Sequence, residues 1–255
     1  DFFSDRIYIL NKLINDNELY YGKAFLKGEI SLTGPTNQVS IDIDGATERG
    51  TFLTIPRNQN LSVENYSFIQ FNDINKYSQN LNDNNYDLTY EDVLRSLDLN
   101  IDLELNSNAL LEITIDPQTG SYISGTGNGN LRMEIDSQGK FNIYGDYVTL
   151  DGIYNFKDLA LIDKKFVLKQ GGSITWDGDP LNAQLNILAT YEVPGGANPA
   201  LLLDNPNFNK KIPSNVEIKL SGNLLKPNNP DFEIYFPNTS STATSEINYK
   251  LSDPE

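Results

Sequence analysis

Residues 129–156 read GNLRMEIDSQGKFNIYGDYVTLDGIYNF. Apolar and polar residues alternate through Leu131, Met133 and Ile135. The chain then turns through an Asp- and Gly-containing segment and alternates again through Phe141 and Ile143. A period of two is the strand period, with successive side chains on opposite faces. Leu131, Met133, Ile135, Phe141 and Ile143 therefore share one face, and Arg132, Glu134, Asp136 and Asn142 share the other. The apolar face needs a cover, and what the rest of the chain can offer decides the fold.

Upstream, LLEITIDPQTGSYISGTG (110–127) is a loose copy of the same unit. Ile115-Asp116 matches Ile135-Asp136 and Gly120 matches Gly139, each unit being a strand, an Asp-led turn closed by Gly, and a return strand. In LDLNIDLEL (97–105) an aliphatic face of Leu97, Leu99, Ile101, Leu103 and Leu105 opposes a wholly polar one. Shorter strand signals lie in 21–34, 39–45, 51–56 and 66–71. Later ones occupy DYVTLDGIYNF, KKFVLKQGGSITW, LNAQLNILATYEV, NVEIKLSGNL and DFEIYFPN. Residues 72–96 are rich in Asn and Asp and read as a mobile loop, with a helical turn at Tyr90–Ser96. Residues 194–213 form a Pro- and Gly-rich connection, with a short apolar run at Ala200–Leu203 that suits a helical turn. Almost no helix is available to lie over the strands. The fold class is therefore all-β with minimal helix: a sandwich, a barrel, or one elongated sheet folded on itself around a ligand or partner. Alternation excludes a parallel sheet covered on both faces.

The chain has 255 residues, enough for one large β unit or two ordinary domains, and 38% of them are hydrophobic. Its net charge of −16 argues against nucleic acid as a partner. It has neither Cys nor His, which excludes disulfides, thiolate metal sites and the usual catalytic triads. No membrane span or signal peptide is visible, and both ends read as cuts within a longer protein. GTGNGN (125–130) has the glycine density of a phosphate loop but precedes a strand, which reads as a bulge or turn. IDIDG (41–45) offers Asp42 and Asp44 without the other ligands of a calcium loop. Asp177 and Asp179 in SITWDGDP flank Gly178 and precede Pro180, so they read as a turn and not as an acid–base pair. No catalytic residue, metal or cofactor is assigned.

Residues 144–193 carry a more specific signature. Gly145–Tyr147 leads into Gly152–Phe156, then Ile162–Phe166 (IDKKF), Gly171–Trp176 followed by Gly178–Pro180 (GGSI-x-W-x-GDP), and Asn182–Ala189 (NA-x-L-x-I-x-A). This combination resembles the C-terminal conserved domain of the TamB family, the translocation and assembly module proteins of Gram-negative bacteria. Segments 20–35, 49–56, 198–213 and 224–238 fit its Bacteroidota style, with local departures at PGGANPA and at the doubled Asn of KPNNPDF. The resemblance implies a U-section trough, the β-taco, with an apolar interior, in a periplasmic protein anchored in the inner membrane outside this segment and reaching the outer membrane. It implies non-enzymatic work: conveying phospholipid between membranes and supporting outer-membrane protein assembly and secretion, against a BamA- or TamA-type barrel. The expected division is 1–71 as upstream trough strands, 72–96 as loop and 97–255 as the C-terminal domain.

On that reading the groove is lined by Leu99, Ile101, Leu103, Leu105, Ile113, Ile115, Leu131, Met133, Ile135, Phe141, Ile143, Phe166, Leu168, Ile174, Trp176, Leu185, Ile187, Ala189, Val216, Ile218 and Leu220. Phe232, Ile234 and Phe236 belong to an edge that could add to a partner sheet. About fifteen strands at ~4.8 Å would run roughly 70 Å. The alternative is a scaffold that docks on the barrel without carrying lipid, its interior a dry core.

Overall fold

A computed structural model describes residues 1–12, 21–35, 38–55, 97–137, 140–158, 161–180, 182–201, 203, 209–224, 226–228 and 230–252. Fourteen strands among them form one sheet. They are β1 (Phe2–Lys12), β2 (Tyr21–Thr33), β3 (Val39–Thr47), β4 (Thr51–Ile55), β5 (Leu97–Leu105), β6 (Ala109–Asp116), β7 (Ser121–Ile135), β8 (Phe141–Asp158), β9 (Ile162–Leu168), β10 (Ser173–Gly178), β11 (Gln184–Glu192), β12 (Asn215–Asn223), β13 (Lys226–Pro227) and β14 (Asp231–Tyr235). A 3-10 turn at Pro199–Leu201 falls where the apolar run predicted one. One α-helix, α1 (Ser241–Ser252), follows the last strand. The mobile loop at 72–96, the turn at Tyr90–Ser96 and the strand at 66–71 lie outside the described residues. Strand β1 was not anticipated.

Several strands lie end to end. β3 and β4 both pair with β2, and β5 and β6 both pair with β7. β9 and β10 both pair with β8, and β13 and β14 both pair with β12. The fourteen strands thus make ten ranks in chain order. At ~4.8 Å per rank the sheet runs roughly 43 Å, shorter than the 70 Å expected when each strand is counted as its own rank. Neighbouring ranks are antiparallel, except that β3–β4 runs parallel to β5–β6.

The breaks fall side by side. Residues 48–50 separate β3 from β4, 106–108 separate β5 from β6, 169–172 separate β9 from β10, and 228–230 separate β13 from β14. Between them the β7–β8 register slips at Thr126/Gly127, leaving Leu150 with no residue opposite it on β7. One line of bulges and breaks therefore crosses the strands, and each such break bends its strand and increases twist. GTGNGN sits on this line as the sequence predicted. A Cβ on Gly127 would lie 2.5 Å from Cζ of Tyr147 and 2.4 Å from the Val148 carbonyl oxygen. Only glycine lets the Tyr147 ring lie against β7 there.

The sheet also curls across its strands. The Phe156 ring on β8 meets the Phe232 ring on β14 at 5.6 Å between centroids. Four rank spacings separate those strands along the sheet, roughly 19 Å if it were flat. The curl encloses one apolar core drawn from β6 to β12, with Ile174, Ile187, Ile218 and Leu220 almost wholly buried. The first predicted Asp turn closes as read; the Gly139 of the second lies outside the described residues. Asp116 accepts hydrogen bonds from the Gln118 N–H and the Thr119 hydroxyl. Its carbonyl accepts from the Gly120 N–H, and Gly120 holds φ +77°. Asp136 accepts from the Lys140 N–H at 2.9 Å.

Candidate functional site

Register turns the period-two alternation into rows that cross the strands. One row joins Phe2, Ile30, Ile43, Ile101, Met133 and Ile143. A second joins Leu32, Ile41, Leu99, Ile135 and Phe141. A third joins Gly28, Gly45, Leu103, Leu131, Gly145 and Trp176. Each row is apolar or glycine throughout, so one face of β1–β8 is a continuous aliphatic surface.

Cover on this surface is graded. Phe2 and Leu32 are 61% and 63% exposed, whereas Ile143 and Phe141 on the same rows are 7% and 8% exposed. Between them Ile30, Ile43, Ile101, Met133, Ile41 and Leu99 are all half-buried. Along these two rows the face is open over β1, β2, β3 and β5 and shut from β8 onward; farther along β2 on the same face, Leu26 is buried.

Of the predicted lining residues, Leu99, Ile101, Leu103, Leu105, Met133 and Val216 are half-buried. Ile113, Ile115, Leu131, Ile135, Phe141, Ile143, Phe166, Leu168, Ile174, Trp176, Leu185, Ile187, Ala189, Ile218 and Leu220 are buried among one another in the core. Sequence reasoning missed Phe2, Ile30, Leu32, Ile41 and Ile43, which occupy the most open parts of the rows. The alternation in EISL and VSIDI was the available signal. It also missed Tyr147 and Tyr154, which are buried among the aliphatics. Burial pushes both phenols up to about 12, because the charged form loses water there.

At the far edge, β14 pairs on one side with β12, placing Phe232 beside Ile218 and Ile234 beside Val216. Phe232 is 51% exposed, Ile234 is also exposed, and Phe236 is half-buried. On the opposite face, polar side chains line up across β2, β3, β5 and β7. Glu29, Asp44, Asp102 and Arg132 lie in one row. Arg132 donates to Glu134 at 2.8 Å, and Asn100 donates to Asp42 at 2.9 Å. Asp177 and Asp179 are exposed on either side of Gly178, in a turn tied by the Trp176 indole N–H to the Pro180 carbonyl at 3.1 Å. That arrangement pins the Trp and brings no pair of carboxylates onto a common substrate position. No helix among the described residues is long and apolar enough to cross a membrane.

The chain that forms this curled sheet matches the family model of the TamB C-terminal domain over residues 9–251. The chain belongs to the TamB family. It thereby acts in the translocation and assembly module of the Gram-negative envelope, a non-enzymatic module that works with an outer-membrane partner of the TamA type. Comparison with curated proteins finds no match.

Proposed function

We propose that the open part of the aliphatic face carries acyl chains of phospholipid passing between the inner and outer membranes. The graded cover supports this reading. Rows of aliphatic side chains stay half-exposed over β1–β5, where an ordinary core would be shut. Four rank spacings separate Phe2 from Met133, roughly 19 Å, against ~15 Å for the hydrocarbon thickness of one leaflet. The span suits one chain lying along a row. Each CH₂ taken from water is worth ~0.8 kcal/mol, and nearly all of that is already gained in a bilayer. Exchange between groove and membrane is therefore close to even and needs no chemistry. From β8 onward the interior is filled by Ile143, Trp176, Ile187 and their neighbours, so the groove ends as a closed stop.

Photo-crosslinking tests this. A diazirine at Ile101 or Leu103 captures phospholipid, and one at Ile187, with no exposed surface, does not. Ile101→Asp abolishes transfer while leaving the fold intact. Transfer at the wild-type rate in that variant overturns the reading.

A second reading rests on β14. Its outer side carries no pairing among the described residues, and its inner-face Phe232 and Ile234 are exposed. Such an edge can accept a further strand from an outer-membrane barrel, giving a scaffold that docks without carrying lipid. Loss of barrel capture on altering only Phe232 and Ile234, with crosslinking at Ile101 unchanged, separates the two roles.

A further inference from the structure

The most exposed large apolar side chain outside the rows is Leu161, at 88%. It lies between β8 and β9, and its N–H donates to the Asp158 carbonyl at 3.0 Å. Ile162 beside it is 41% exposed. The flanks are basic: Lys157, Lys164 and Lys165 lie within the first rungs of the hairpin. The β11–β12 connection leaves from the same end of the strands, since β9 runs antiparallel to β11 with Val167 opposite Thr190, and Glu192 pairs with Asn215. It brings exposed Lys210 and Lys211 to that rim. Five of the chain's 19 basic residues thus gather at one end of three neighbouring ranks, around an apolar tip. Among the described residues five lysines there stand against four carboxylates, Asp116, Asp158, Asp163 and Glu192, on a chain of net −16.

We propose that this rim is a membrane-contact site: Leu161 and Ile162 enter the interface of an anionic phospholipid bilayer, and the lysines face its headgroups. Charge complementarity selects the partner. A chain of net −16 is repelled by an anionic surface everywhere except where its cations collect. An apolar tip with lysines behind it is the arrangement that binds such an interface. The geometry also joins the rim to the interior. Lys164 pairs with Phe156 on the inner face, and its ammonium sits 5.5 Å from the Tyr191 ring centroid. Phe156 in turn touches the half-exposed Phe232. Membrane contact here would set the inner face beside the bilayer surface. The proposal goes beyond acyl-chain carriage and holds whether or not the groove takes lipid.

The test is flotation of the purified chain with vesicles of phosphatidylcholine alone or containing phosphatidylglycerol. The chain floats with the mixed vesicles and not with phosphatidylcholine. Each lysine near such a surface is worth about fivefold in partitioning, so Lys164→Glu with Lys165→Glu lowers it by well over tenfold. Leu161→Asp also lowers it, by about tenfold. Lys27→Glu, remote from the rim, leaves it unchanged. Because the chain has no cysteine, Leu161→Cys and Val148→Cys can each carry one environment-sensitive fluorophore. Emission at 161 shifts to the blue with anionic vesicles, and emission at 148 does not. Thermal melts verify that each variant folds. No flotation with either vesicle, an equal shift at both labels, or an equal loss in Lys27→Glu overturns the proposal.

Discussion

Replacing one isoleucine at a time separates a shut interior from an open one. Ile187 is on β11, with no exposed surface, between Gly172 and Leu220. Ile101 is on β5, half-buried, in the row that runs from Phe2 to Ile143. The change to Ala removes the same three carbons from each, at ~0.8 kcal/mol per carbon taken from water. At Ile187 the full transfer term of ~2.4 kcal/mol applies, and a cavity term is added because the surrounding strands cannot collapse. The loss is ~3–4 kcal/mol. At Ile101 about half of the transfer term applies and no cavity forms, because the site already opens outward. The loss there is ~1 kcal/mol. For a chain of this size these correspond to drops in Tm of roughly 6–15 °C and 2–4 °C. Differential scanning calorimetry with urea titration on the two variants measures both. Equal losses, or a larger loss at Ile101, would refute the graded interior, and the acyl-chain reading with it.

Gly127→Ala places a Cβ against the Tyr147 ring and the Val148 carbonyl, and is expected to cost ~2–3 kcal/mol by denaturant titration. Tyr147→Ala relieves the ring clash but not the backbone one, so the pair recovers only part of the loss. Tyr147 and Tyr154 have folded-state pKa values of about 12, above the ordinary ~10 of an unfolded chain. An acid raised in this way contributes stability that is fully present below pH ~10 and is lost as the pH climbs through 12. Ultraviolet titration should show two tyrosines ionising late, and Phe at both positions should flatten the alkaline loss of stability. Burial raises the Glu112 carboxyl, so its ionisation works against folding. Glu112→Gln is expected to stabilise the chain at pH 7 and to have no effect once the pH falls below the ordinary carboxylate range.

Period-two alternation is a local property, so the strands were legible where it is strict: β5 spans Leu97–Leu105 as read, and β7 and β8 each begin just after an Asp turn, while the GTGNGN glycines fall inside β7. End-to-end pairing is not local. Nothing in KKFVLKQGGSITW separates β9 from β10 until Thr149 bonds with both Gly171 and Gly172 across the break, so thirteen residues that read as one strand supply two. Strand β1 was hidden because the alternation in DFFSDRIYIL is broken, and the β1–β2 register slips between Ser4 and Ile7 and between Tyr8 and Leu10. Among its described side chains helix α1 has one deeply buried apolar residue, Ile247, too little periodicity to announce itself. The inner face was legible as a face. Its division into open and shut halves was not, because cover comes from contacts such as Phe156 with Phe232 between distant parts of the chain.

That division bears on how a carrier can end. A half-covered apolar row is costly in water and becomes stable when occupied, so the open ranks favour whatever hydrocarbon is at hand. A row already filled by its own side chains gains nothing from a ligand, since admitting one means expelling Trp176 or Ile187 from a close-packed site. On the proposed acyl-chain reading, cargo moving along the rows meets a rising barrier between Met133 and Ile143, one strand apart. Two consequences follow from the same gradient. Hydrocarbon has to leave the face sideways, over the lip of the strands, and not through the far end. The shut half is then free to serve as a rigid mount, holding β14 and the lysine-rich rim at fixed positions relative to the open rows. On the proposed readings carriage and docking occupy different parts of one sheet, and variants confined to either part should impair one without the other.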